Sequence, residues 1–142
     1  MAVKQLTVFL ENKEGHLNDV LNTLAESGIN VIVAALAETA DFGLLRMIVP
    51  SPEKAREILK TAEFSSKLVD TMCVKLQHEA GSLAKALQVL ADGGMNVEYM
   101  YAFSVGEQAA AVIKTKSAKT ATKILSEAGF EFWDEADIEA LA

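Results

Sequence analysis

The sequence predicts an α+β fold built from two copies of one βαββαβ unit, and three observations lead to that prediction. The 142-residue chain overlays itself without a gap when it is shifted by 66 residues. Strand-like and helix-like hydrophobic patterns alternate in the same order in both halves. Hydrophobic residues make up 51% and charged residues 23% of the chain, a balance typical of a packed globular protein.

The repeat aligns residues of the same type along the whole unit. At the 66-residue offset Gly15 aligns with Gly81, and Gly28 aligns with Gly94. Further identical pairs are Leu17 and Leu83, Leu21 and Leu87, Leu24 and Leu90, Ser51 and Ser117, Ala55 and Ala121, and Phe64 and Phe130. We therefore expect two domains, residues 1–69 and residues 70–142, the second with a C-terminal tail. Because no Pro/Gly/Ser-rich linker separates the copies, we expect them to pack closely.

The first copy contains the elements of the unit in order. Leu6, Val8 and Leu10 alternate with other residues and predict a strand with one buried face. The first helix has apolar residues at helical spacing, namely Leu17, Val20, Leu21 and Leu24, and Gly28 suits the left-handed position that ends it. The rest of the copy predicts strands over residues 29–37 and 44–49, a turn over residues 39–43, a helix beginning at Ser51-Pro52, and a short strand over residues 67–70.

The second copy repeats this order, beginning with a strand marked by Met72, Val74 and Leu76 and ending with a strand over residues 130–133. Residues 135–141 predict an additional helix. The element order predicts two ferredoxin-like units, each with an antiparallel four-stranded sheet and two helices on one face. Because so small a unit leaves a sheet edge and a sheet face uncovered, we expect the units to pack side by side and the chain to form a homodimer.

Composition excludes several classes of function. Twenty acidic residues against 13 basic ones give a net charge of −7, which argues against binding to nucleic acid or to an anionic membrane surface. No apolar run approaches the ~20 residues that span a bilayer, and the N-terminus lacks a secretory hydrophobic segment. The single cysteine, Cys73, excludes an internal disulfide and a multi-thiolate metal site. We therefore expect a cytoplasmic protein.

The strongest functional signal lies in the two loops between the first strand and the first helix of each copy. Residues 12–17 read Asn-Lys-Glu-Gly-His-Leu, and residues 78–83 read His-Glu-Ala-Gly-Ser-Leu. The start of a helix, with its free N–H groups and positive dipole end, suits a carboxylate, although Gly15 and Gly81 could serve only the turn into the helix. Asn30 and Asn96 follow the helices; an amide suits an amino-acid zwitterion or caps a turn.

These residues resemble the ACT domain, a small-molecule sensor module. The order strand, Asn/His-x-x-Gly-x-Leu, helix, Gly-Ile/Met-Asn-Val, strand occurs once in each copy, and the chain is similar to stand-alone tandem ACT proteins described as amino-acid-binding. The resemblance implies a non-catalytic sensor without a cofactor, with an amino acid at the interface between copies. It implies the binding residues Asn12, Lys13, Glu14, Gly15, His16, Leu17, Asn30, Val31, His78, Glu79, Ala80, Gly81, Ser82, Leu83, Asn96 and Val97.

The two binding sites need not be equivalent. His78 stands where the first copy has Asn12. Residues 98–103 read Glu-Tyr-Met-Tyr-Ala-Phe, whereas the corresponding strand of the first copy, residues 32–37, is small and aliphatic. This aromatic strand is either a pocket wall that selects one side chain or a packing surface between copies or chains.

Three hypotheses for the function follow. In the favoured one, an amino acid binds and shifts the packing of the copies or their grip on an enzyme regulated in trans. In the second, the chain is a scaffold or oligomerisation module whose glycine loops bind nothing. In the third, it is a small enzyme that uses His16 or His78, although neither histidine has a sequence-evident orienting acid or nucleophile. No metal site is expected.

Overall fold

The computed structural model describes residues 2–11, 13–38 and 42–141 of the chain. Its elements are β1 (Val3–Glu11), α1 (His16–Glu26), β2 (Val33–Glu38), β3 (Phe42–Ile48), α2 (Pro52–Thr61), β4 (Ser66–Gln77), α3 (Ser82–Asp92), β5 (Val97–Val105), β6 (Gln108–Thr115), α4 (Ala118–Glu127), β7 (Phe132–Trp133) and α5 (Glu135–Ala140). Within these described residues, no helix is both long enough and apolar enough to cross a bilayer.

The chain divides into two compact units. The first unit comprises Lys4–Val69 with Ala136–Ala142, and the second comprises Met1–Val3 with Asp70–Glu135. Most of the C-terminal helix α5 thus groups with the first unit, although it follows the second unit in the chain. The expectation that residues 1–69 and 70–142 form separate domains stays a prediction.

The first unit contains an antiparallel sheet in the order β2-β3-β1, followed by the first part of β4. Leu10 of β1 and Glu38 of β2 lie opposite Gly43 on its two sides. The C-terminal ends of β1 and β2 therefore lie at the same end of the sheet, with β3 between them. The Phe9 N–H donates to the Ser65 carbonyl at 3.0 Å, which fixes the start of β4 beside β1.

The second unit repeats this arrangement with β5-β6-β4 and with β7 beside β4. The Lys75 N–H donates to the Glu131 carbonyl at 2.8 Å, and these residues are the 66-residue equivalents of Phe9 and Ser65. The predicted fold class is confirmed: both units are ferredoxin-like, with helices on one face of an antiparallel sheet. The predicted strand over residues 67–70 and the strand marked by Met72 are one uninterrupted strand, β4, since no turn residue separates them.

Each unit has its own hydrophobic core between its sheet and its helices. Leu24 of α1 and its equivalent Leu90 of α3 are both 0% exposed at the centres of these cores. The prediction that β1 has one buried face is wrong, because Gln5 and Thr7 on the opposite face are also buried. The Gln5 amide donates to the Thr7 hydroxyl at 2.9 Å, which offsets the cost of removing both from water.

The ends of the elements follow mostly, but not entirely, from the sequence. Gly28 and Gly94 have φ angles of +74° and +77°, which confirms the left-handed ends of α1 and α3. The helical C-terminal segment is confirmed as α5. Strand β2 begins at Val33, four residues later than predicted. The described strand β3 begins at Phe42, within the segment predicted as a turn; residues 39–41 of that turn lie outside the described residues.

The two Ser N-caps of α2 and α4 give a matched test of capping. Ser117 accepts a hydrogen bond from the Thr120 N–H at 3.2 Å, whereas Ser51 has φ +52° and makes no capping hydrogen bond. We expect Ser117→Ala to lower the free energy of unfolding by about 1 kcal/mol. Ser51→Ala should change it by less than about 0.5 kcal/mol, since no cap is lost. Urea unfolding of both variants measures the difference; equal losses would contradict the assignment.

Candidate functional site: a groove beside each glycine loop

The loops that precede α1 and α3 have the same backbone conformation. Gly15 has φ +80° and ψ −10°, and Gly81 has φ +85° and ψ −9°. An added Cβ would meet nothing within 4 Å at either glycine, so the left-handed backbone is what favours glycine there. The Lys13 N–H donates to the Glu11 carbonyl and the Glu79 N–H donates to the Gln77 carbonyl, both at 2.9 Å.

Among the described residues, the loop of the second unit leaves two backbone donors unpaired at the start of α3. In the second unit the Ser82 N–H reaches the Glu79 carbonyl at 3.3 Å and the Lys85 N–H reaches the Gly81 carbonyl at 2.9 Å. Within the described part of the chain, no acceptor is found for the N–H groups of Leu83 and Ala84. Free N–H groups at a helix N-terminus carry partial positive charge, so they can receive an anionic group.

A groove lies on one side of each loop, between the end of the unit's first strand and the following hairpin. We call the cavity of about 140 Å³ in the first unit the first groove and the cavity of about 260 Å³ in the second unit the second groove. The first groove is lined by Leu10, Glu11, Lys13, Leu17, Leu36, Ala37, Glu38 and Gly43. The second is lined by Leu76, Gln77, His78, Glu79, Ser82, Leu83, Ala102, Phe103, Ser104 and Ala109.

The two grooves are equivalent by position and different in chemistry. Every residue that lines the first groove has its 66-residue equivalent in the second. Ala102 of the second groove replaces Leu36 of the first, and this loss of three carbons accompanies the larger volume. In the first groove the Lys13 ammonium pairs with the Glu11 carboxylate at 3.1 Å. The second groove has Glu79 in the place of Lys13.

The structure divides the predicted binding residues between several locations. Lys13 and Leu17 line the first groove, and His78, Glu79, Ser82 and Leu83 line the second. Glu14 and Gly15 are exposed residues of the first loop, while Ala80 and Gly81 line a different cavity behind the second loop. Asn12 lies outside the described residues.

The other predicted binding residues, Asn30, Val31, Asn96 and Val97, lie at the far end of their own sheets. Val33 at the start of β2 is opposite Ile48, whereas Glu38 at its end is opposite Gly43, beside Leu10. The length of β2, roughly 17 Å at 3.3 Å per residue, therefore separates Asn30 from the groove of the same unit. Asn96, the 66-residue equivalent of Asn30, is separated from the second groove in the same way. Neither the first nor the second groove is lined by any of these four residues.

His16 has a structural role in the first loop. Its Nδ1 accepts a hydrogen bond from the Glu11 N–H at 2.9 Å, and its ring packs against the Phe64 ring at a centroid distance of 5.6 Å and an angle of 38°. A hydrogen bond and an aromatic pair of this kind each contribute about 1 kcal/mol. Among the described residues, no group of three His, Cys, Asp or Glu side chains is arranged to hold a metal ion.

The sequence interpretation missed the hairpin walls of the first groove, Leu36–Glu38 and Gly43. For the second unit, the sequence interpretation identified only the aromatic strand over residues 98–103. Ala102 and Phe103 of this strand line the second groove. The element order could have indicated these walls, because a βαββαβ order brings the loop after the first strand and the hairpin after the second strand to the same end of the sheet. The sequence pattern does not give the strand register that places Gly43 beside Leu10.

Comparisons with known proteins agree with this architecture. A family model described as an ACT domain pair matches residues 1–142. The crystal structure of protein BT0572 from Bacteroides thetaiotaomicron is similar at 37% identity and a TM-score of 0.92, covering 98% of this chain and 96% of that one. None of the curated proteins compared with the chain matches it.

Two more distant structures share the fold. The ligand-free regulatory subunit of aspartate kinase from Thermus thermophilus has 21% identity and a TM-score of 0.60, covering 90% of this chain and 94% of that one. The regulatory subunit of aspartate kinase from Thermus flavus has 20% identity and a TM-score of 0.55, with coverages of 89% and 93%.

Proposed function

The chain belongs to the ACT domain pair family, and on that premise we propose that it is a non-catalytic regulatory protein that binds a free amino acid in the groove beside each glycine loop. The observation that carries the proposal is the recurrence of one groove in both units, at a constant offset, beside the positively polarised N-terminus of a helix. Volumes of about 140 and 260 Å³ lie below the ~300 Å³ at which sites for larger small molecules begin.

The chemistry of the second groove suits a zwitterion with an apolar side chain. The helix start at Leu83 offers N–H donors to the ligand's carboxylate. The Glu79 carboxylate supplies an acceptor for its ammonium group, and Leu76 and Ala102 form an apolar wall for its side chain. The participation of Asn30, Val31, Asn96 and Val97, and of Asn12, stays a prediction from the family resemblance.

Regulation follows if the ligand has different affinities for two states of the protein, with a coupling of roughly 1–3 kcal/mol. We propose that this coupling acts on an enzyme in trans, that the chain works as a homodimer, and that its setting is the cytoplasm. Leu36 on β2 is 56% exposed and Phe42 on β3 is 41% exposed, and a second chain would cover such apolar surface.

The side chain at one position of the hairpin wall should set ligand size. We expect Ala102→Leu, which copies Leu36 of the first groove, to weaken binding of a large amino acid to the second groove at least tenfold. The physical reason is steric, since three added carbons occupy space in a cavity of about 260 Å³. Leu36→Ala is the matched variant and should improve binding of the same amino acid to the first groove. Calorimetry on both variants measures the changes; unchanged affinity in both would contradict the groove assignment.

A thermal-shift screen against the twenty amino acids tests the proposed function itself. A ligand that binds only the folded state raises the melting temperature, by an amount that grows with ligand concentration. We expect a saturable rise with at least one amino acid. No rise with any of the twenty would favour a scaffold module, and turnover of a ligand that disappears in a His78→Ala variant would favour an enzyme.

A further inference from the structure

A second cavity lies behind the second glycine loop, on the side away from the hairpin. Its volume is about 380 Å³, and we call it the Phe130 cavity. It is lined by Gln77, Glu79, Ala80, Gly81, Ser82, Lys85, Ala128, Gly129 and Phe130, all within the second unit. The loop separates it from the second groove, and Gln77, Glu79 and Ser82 line both.

The first unit shows what occupies the equivalent place there. The 66-residue equivalents of Ser82 and Phe130 are His16 and Phe64. The His16 imidazole packs against the Phe64 ring, tilted by 38° at a centroid distance of 5.6 Å, and its Nδ1 accepts a hydrogen bond from the Glu11 N–H at 2.9 Å. The first unit therefore fills this position with an imidazole from its own chain.

The second unit retains the surroundings of that imidazole without the ring. The glycine that precedes the helix has the same backbone angles in both units, within about 5°. Gln77 is the equivalent of Glu11. Because N–H groups two residues apart point to the same side of a strand, and the Lys75 N–H donates to Glu131, the Gln77 N–H points toward the Phe130 side. No described residue accepts from it.

We propose that the Phe130 cavity binds a small molecule that carries an uncharged nitrogen heteroaromatic ring of the imidazole type. The ring lies on Phe130, and its unprotonated nitrogen accepts a hydrogen bond from the Gln77 N–H, as Nδ1 of His16 accepts from Glu11. The charged residues that line the cavity are Glu79 on the loop and Lys85 on α3. Lys85 lines this cavity and not the second groove, so it can receive an acidic substituent of the ligand.

This inference does not rest on the proposed function, because the Phe130 cavity and the second groove are on opposite sides of the loop. Either site can exist without the other. Ala102 lines only the second groove. A variant at Ala102 should therefore change binding in the second groove and leave binding in the Phe130 cavity unchanged, which distinguishes the two proposals.

The test uses the full-length ¹⁵N-labelled protein and 4-methylimidazole, which is the side chain of histidine. At pH 8, above the pKa of a free imidazole ring, most of the probe is uncharged. We expect a saturable shift of the Gln77 amide signal with 4-methylimidazole and none with pyrrole, which has no acceptor nitrogen. Ala102→Leu should leave this titration unchanged.

Two variants exchange the residues at this position between the units, so that the second unit gains an imidazole side chain and the first unit loses it. Ser82→His should place an imidazole in the cavity, weaken binding of 4-methylimidazole more than tenfold, and move the Gln77 amide signal as the probe does. His16→Ser should open the equivalent place in the first unit, so that 4-methylimidazole shifts the Glu11 amide signal and raises the variant's melting temperature. The inference is overturned if Gln77 does not respond in the wild type, or if pyrrole produces the same response.

Discussion

Replacing Leu90 with alanine is expected to lower the free energy of unfolding by about 2–5 kcal/mol, the cost of a cavity at a buried leucine position. Leu90 is 0% exposed and lies in the core of the second unit with Met72, Val74 and Leu125. Because a domain has only about 5–15 kcal/mol of net stability, this single change removes a large share of it. Chemical unfolding followed by circular dichroism measures the loss.

The control for Leu90→Ala is an exposed position of the same helix. Gln88→Ala removes one hydrogen bond to Asp92 on the surface of α3, and should cost less than about 0.5 kcal/mol. Leu24→Ala, at the equivalent position of the first core, should resemble Leu90→Ala. A loss below about 1 kcal/mol for Leu90→Ala would contradict a close-packed core at this position.

Replacing Gly81 with valine is expected to weaken amino-acid binding to the second groove at least tenfold. Gly81 has φ +85°, a left-handed conformation that costs an L-residue about 1–2 kcal/mol and a β-branched one still more. The loop relieves this strain by moving, which displaces the N–H groups at the start of α3. Calorimetric titration with an amino acid identified by the thermal-shift screen measures the affinity.

Gly94→Val separates the loss of binding from the loss of stability. Gly94 has φ +77° and, like Gly81, open space where a Cβ would be added, but it lies at the other end of α3. The two variants should therefore lose similar amounts of stability, whereas only Gly81→Val should lose affinity. If both lose affinity equally, the loop has no particular part in binding.

The fold could be predicted from the sequence because each half confirms the other. The 66-residue offset places Leu24 on Leu90 and Gly28 on Gly94, so the same core positions and the same helix ends appear twice. The prediction that was wrong concerns the burial of a single strand, β1. The burial of Gln5 and Thr7 could not be read from a period-2 pattern, because it depends on what covers the second face of β1.

The candidate site could be predicted only in part. The glycine loops were visible because Gly15 and Gly81 recur beside a helix start. The hairpin walls at Leu36 and Ala102 depend on strand register, which the sequence pattern does not set. The role of His16 depends on a long-range meeting with Phe64, and residues 48 positions apart carry no local signal of contact.

An NMR titration of the ¹⁵N-labelled protein with an amino acid that raises its melting temperature shows whether amino acids bind beside the glycine loops. We expect the amide signals of Leu17 and Leu83, which line the two grooves at the helix starts, to move and reach a plateau at ligand saturation. A saturating titration in which both signals stay in place while signals elsewhere move would contradict binding beside these loops.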